Sequence, residues 1–171
     1  MNRQHDTVER RSSAEQTPHG PRRSTVPTVV QVAFFLWLTA LAMGAVETVL
    51  GVAGELSAPE RTMTIAAILG LIAFRVVITL VLFTIAVVMR RGWNWARISL
   101  TVLLGGIGMF SLVYAPITEL VAGVGFVEAF GGDGPMGPWF LIVRLVHVVC
   151  VPAAIIAMFL PSARTYFHTP E

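Results

Sequence analysis

Four long apolar runs alternate with short polar stretches along this chain, over about residues 27–51, 62–89, 95–121 and 138–160. Each is about 20 residues or longer, enough at 1.5 Å per residue to cross a hydrocarbon core of about 30 Å as a helix. Apolar positions within each run are continuous rather than alternating, which favours helices over the strands of a barrel. The pattern predicts an all-α membrane protein, a four-transmembrane-helix bundle over residues 27–161.

The polar punctuation sets the ends of these runs. Residues 1–26 are polar, with almost no apolar periodicity, so they cannot bury enough surface to offset the entropy of ordering. They are expected to form a disordered tail. Ala40-Leu41-Ala42 resembles a signal-peptide cleavage site, but the preceding segment is long and carries three acids, and the apolar run continues past it. An uncleaved first span is the better reading. Gly54–Arg61 is expected as a polar turn, Arg90-Arg91-Gly92 as the break between spans two and three, and GGDGPMGP at 131–138 as a loop. Residues 162–171 are expected as a C-terminal tail.

Composition agrees with lipid as the solvent. The chain has 171 residues, 55% of them hydrophobic and 13% charged, against roughly 45–50% apolar and about 25% charged in soluble domains. All 12 basic residues are Arg and none is Lys, which points to a GC-rich bacterial genome. The net charge of +2 gives no support for nucleic acid as a partner. A single cysteine, Cys150, excludes an internal disulfide.

Charge placement predicts orientation. The N-terminal tail carries Arg3, Arg10, Arg11, Arg22 and Arg23; the middle loop carries Arg90 and Arg91, with Arg97 one turn on; the C-terminal tail carries Arg164. The other two loops hold Glu55, Glu60, Glu128 and Asp133 against Arg61 alone. The positive-inside rule then puts both termini and the middle loop in the cytoplasm of a bacterial plasma membrane. Arg90, Arg91, Trp93, Trp95, Arg97 and Tyr166 become inner-interface anchors among anionic lipid headgroups, with Trp139 at the outer interface. Arg10-Arg11-Ser12-Ser13 and Arg22-Arg23-Ser24-Thr25 have the form of basophilic kinase sites, though attraction to anionic lipid is the plainer role.

One charge per span falls in the outer half of the predicted membrane: Glu47, Arg75, Glu119 and Arg144. An isolated Arg at the bilayer centre costs at least about 2.5–3.5 kcal/mol, and pairing is the simplest way to offset it. The expected pairs are Glu47 with Arg75 and Glu119 with Arg144, with exchanged partners as the variant. As a clasp they would fix helix register; as an outward-facing pocket with His147 they would bind an anion, a lipid headgroup or a proton. The clasp is favoured.

Other chemistry is sparse. His147 lies one turn from Arg144 and Cys150 one turn further, which makes half a zinc site at most. His5, His19 and His168 lie in the tails, so a haem held by two membrane histidines is not indicated. A buried histidine bonded to a neighbouring helix is the plainer reading. Pro152 frees the carbonyl of Val148 and predicts a kink. Ala40 with Gly44, Ala66 with Gly70 and Thr101 with Gly105 have small-xxx-small spacing, which suits close helix packing or a homo-oligomer face. No paired carboxylates, nucleophile–base set or phosphate-cradling loop is present, so an enzyme is the weaker expectation and no cofactor is implied.

Two segments carry a resemblance. RRGWNWARISLTVL (90–103) is similar to the entry into the third span of many small multi-span membrane proteins of actinobacteria, at Gly92, Asn94, Trp95, Ala96 and Arg97. LPSARTYF (160–167) resembles the ending of the same proteins, at Pro161, Tyr166 and Phe167. The resemblance implies a four-span bacterial membrane protein of a group mostly without assigned activity. The expected role is a non-catalytic accessory or scaffolding subunit with lateral protein or homo-oligomer contacts. A small transporter or lipid- or anion-binding protein using the outer charges is the alternative.

Overall fold

The computed structural model describes residues 26–133 and 136–168. The predicted disordered tail and its Arg-Ser motifs lie outside the described residues, apart from Val26. The described chain forms α1 (Thr28–Ser57), α2 (Ile65–Arg90), α3 (Asn94–Leu100), a π-helical segment (Thr101–Gly108), α4 (Met109–Val121), a short α5 (Phe126–Ala129), α6 (Gly137–Phe159) and α7 (Pro161–His168). Four stretches are long and apolar enough to cross a membrane: α1, α2, the continuous unit Asn94–Val121, and α6. The protein is therefore an all-α, four-helix membrane bundle.

The spans run up and down with short connections, so sequence neighbours lie antiparallel. α1 packs most extensively on α6 and then on α2; α2 touches α3, and the third span returns to α6. This closes a four-membered ring. We call the end bearing Thr28, Arg90, Asn94 and Phe159 proximal, and the opposite end distal.

Packing is uneven along the bundle axis. The buried residues of α1 are Val30, Ala33, Phe34, Trp37, Ala40 and Leu41, all in its proximal half. Those of α6 beyond its first residue are Cys150, Val151, Ala154, Ala157 and Met158, again proximal. The fully buried Trp37 donates its indole N–H to Met158 Sδ at 3.3 Å, so the largest core side chain also satisfies its one polar atom. Distally, α2 buries Ile68 alone. The bundle is tight at one end and open at the other.

Three elements differ from the sequence expectation. α1 continues into the predicted turn, as far as Ser57. The cause is Glu55, whose Oε1 accepts the backbone N–H of Thr62 and of Met63 at 2.6 Å each, while Thr62 Oγ1 donates to it at 2.9 Å. One carboxylate thus folds the connection back, and Thr64 Oγ1 then caps α2 by accepting from the Ala67 N–H at 3.2 Å.

The third span widens to a π-helix over Thr101–Gly108. Thr101 Oγ1 donates to the Arg97 carbonyl at 2.9 Å, and three glycines (105, 106 and 108) remove side-chain crowding there. Gly105 sits so close to Ile155 of α6 that a methyl group would overlap that side chain. The predicted small-residue approach of Thr101 and Gly105 is therefore made against the fourth span.

The expected C-terminal tail is helical from Pro161 to His168. Pro161 cannot continue α6, and the new helix turns across the proximal end, burying Ala163 and Phe167. Distally, α5 precedes the predicted loop, which makes a sharp return in which Gly132 lies against Gly137. A Cβ on Gly137 would collide with the Gly132 carbonyl group. Gly131 there has φ +78°.

Candidate functional site

The four intramembrane charges do not form the expected pairs. Glu47 projects from α1 toward α6, where its Oε1 lies 3.6 Å from His147 Nδ1, and both side chains are largely buried. Gly44 makes this possible: a Cβ there would stand 3.3 Å from His147 Cε1. The separation is too long for a hydrogen bond, and neither atom has another partner. His147 thus faces an acid on a neighbouring helix, but without the hydrogen bond expected of it from the sequence.

Arg75 lies on the other side of α1. It borders a cleft with Ala45, Thr48 and Val49, while Glu47 points roughly half a turn away at 3.6 residues per turn. The predicted Glu47–Arg75 pair fails because α1 separates the two charges. Glu119 is exposed near the distal end of α4. Arg144 is half-buried, with its guanidinium 4.7 Å from the Phe140 ring and its Nε without a hydrogen-bond acceptor. The predicted Glu119–Arg144 pair is also absent. Among the described residues the charges make one acid–histidine contact and leave Arg75 without a carboxylate, so the register clasp is corrected.

The two segments that carried the resemblance fold against each other at the proximal end. Arg97 is 6% exposed, and its guanidinium lies 4.7 Å from the Phe159 ring and 4.9 Å from the Phe167 ring. One of its nitrogens donates a long hydrogen bond of 3.5 Å to the Met158 carbonyl. Two aromatic faces replace the water lost by this cation. Arg97 does not snorkel to phosphate; it is boxed in. Tyr166 O–H donates to the Arg90 carbonyl at 2.8 Å. Its ring covers Gly92, whose φ of +96° suits glycine at this turn. Arg90 in turn lies 5.0 Å over Phe34 of α1. Trp93 and Trp95 remain exposed beside this unit.

This unit locks the start of the third span to the exit of the fourth and to the end of the second. The sequence singles out Arg90, Gly92, Arg97, Tyr166 and Phe167 of this unit, with outward roles for its arginines and Tyr166, but not Phe34, Met158 or Phe159. The missed signal was the pair of phenylalanines flanking the α6–α7 break, eight residues apart. Cys150 is buried, and the described residues contain no group of three or more His, Cys, Asp or Glu side chains placed to hold a metal. No family model matches the chain, and neither a curated protein nor a solved structure shows significant similarity to it.

Proposed function

We propose that this is a non-catalytic accessory or scaffolding subunit of a bacterial plasma membrane, with both termini in the cytoplasm and lateral contacts made through its third span. The Arg-rich proximal connection and the acidic distal loops support that orientation. The two motifs at residues 90–103 and 160–167 support an origin among the small actinobacterial membrane proteins they resemble.

One observation carries the lateral role. Ile107, Phe110, Tyr114, Ile117 and Val121 are all exposed and recur at alternating spacings of three and four. That is the spacing of a helix–helix seam, with large side chains available as knobs. Phe110 and Tyr114 already hold each other, with ring centroids 5.3 Å apart, so the ridge is partly ordered before any partner arrives. The opposite face of the same span packs on α6.

The test is purification from native membranes in a mild detergent. The full chain is expected to migrate as a complex larger than its monomer, and Phe110→Ala with Ile117→Ala should release the monomer. Recovery of the unaltered chain solely as a monomer contradicts the proposal.

A further inference from the structure

The open distal half contains a feature that the lateral contacts do not use. Ile68, Arg75, Leu82 and Met89 recur every seven residues along α2, and all but Arg75 are buried. At 3.6 residues per turn these positions share one face, the face turned toward the bundle. Arg75 therefore occupies an inward register and is exposed because the helices part there. A cleft of about 470 Å³ lies between α1 and α2 at this level. Its walls are mostly apolar, with Val49, Val52 and Leu56 from one helix and Ile72, Val76 and Leu80 from the other.

Arg75 is the one charged residue lining the cleft, and no acid lines it. Of the two threonines present, Thr48 spends its hydroxyl proton on the Gly44 carbonyl at 2.9 Å. Glu47 is turned away toward His147. The cleft is thus a hydrocarbon-like slot with Arg75 at its border, and no described carboxylate pairs with that arginine. By helix rise, Arg75 lies about 15 Å from the distal end of α2. The helix, 26 residues long, outreaches a hydrocarbon core of about 30 Å. A long arginine stem can therefore lift its guanidinium toward the distal headgroups.

We propose that the cleft is a binding site for an anionic phospholipid of the distal leaflet, with its phosphate on Arg75 and an acyl chain between α1 and α2. The volume falls in the range of sites for small molecules. A guanidinium donates two parallel N–H bonds to a phosphate, and the apolar walls exclude an anion that brings no hydrocarbon of its own. This site is independent of the ridge on the third span, since it uses other helices and other residues.

Native mass spectrometry of the full-length chain, released from detergent containing phosphatidylglycerol and phosphatidylcholine in equal amounts, tests the site. One phosphatidylglycerol is expected to be retained in preference to phosphatidylcholine. Arg75→Gln should lower that preference at least tenfold, whereas Arg75→Lys keeps most of it. Val76→Trp, which fills the slot and leaves the cation, should also abolish retention. Arg144→Gln and Glu47→Gln, which lie outside the cleft, should leave it unchanged. Equal retention by the Arg75→Gln chain overturns the proposal. So does displacement of the lipid by inorganic phosphate alone, which would mark a site for a soluble anion.

Discussion

Replacing Arg97 by Ala is expected to destabilise the folded chain by about 3 kcal/mol, from desolvated cation–π contacts of about 2 kcal/mol and the void left in a packed region. The side chain is held between Phe159 and Phe167 and reaches the Met158 carbonyl, so three contacts vanish together. Arg97→Lys should lose less than Arg97→Ala, because an ammonium still faces the rings but cannot stack on them. Arg97→Met separates charge from volume. A buried cation without a carboxylate carries a desolvation cost, so an apolar side chain of similar length should recover much of the stability lost in Arg97→Ala. Unfolding in increasing SDS, followed by far-ultraviolet circular dichroism, measures the series. Indistinguishable midpoints for the Ala variant and the original chain would show that the proximal clasp contributes nothing.

The second large effect is expected at the distal end. Gly137→Ala should cost about 3 kcal/mol, at the upper end of what overpacking a filled site costs. The added methyl group meets the backbone of Gly132 rather than the tip of a side chain, so relief requires movement of the loop itself. Gly132 also donates its N–H to the Val127 carbonyl at 2.7 Å, which ties the loop to α5 and limits that movement. Gly125→Ala is the matched control, since nothing lies within 4 Å of a Cβ there. Its unfolding free energy from the same SDS titration should change by no more than about 0.5 kcal/mol.

The spans were legible in the sequence because continuous apolar runs admit one solution in lipid, a helix with its hydrogen bonds satisfied internally. Facing was not legible. In water, the polar side of a helix marks its exposed face; in a membrane both sides are apolar, so little in the run Ile65–Met89 separates buried Leu82 from exposed Val81. That loss of contrast explains why the charge pairs were misassigned. Glu47 and Arg75 have comparable heights along their helices, but height does not say which side of α1 each one faces. Arg97 was misread for a related reason. A cation near an interface has two ways to offset burial, lipid phosphate or aromatic faces, and the rings that take it up belong to residues 62 and 70 positions later. Glu55 shows the converse case. A polar residue at the end of an apolar run signals a turn, but here it makes the turn by accepting hydrogen bonds from Thr62 and Met63 while remaining helical.

The same lack of contrast bears on the charges themselves. Glu47 and His147 meet in the most extensive helix interface, while Arg75 stands in the part of the bundle where helices separate. Tight packing near the proximal clasp and open packing around Arg75 divide the molecule into a fixed end and a receptive one. Buried residues are concentrated at the first, and the proposed lipid cleft lies toward the second.

The claim beneath all of this is that the connections at residues 58–64 and 122–136 lie on one side of a bilayer and the connection at 91–93 on the other. Single cysteines at three exposed positions, Glu60→Cys, Arg91→Cys and Asp133→Cys, each in a Cys150→Ser chain, can be reacted with a membrane-impermeant maleimide on sealed cells. Labelling is expected at positions 60 and 133, and at position 91 only after the membrane is permeabilised. Labelling of positions 60 and 91 together on sealed cells would contradict the four-span arrangement.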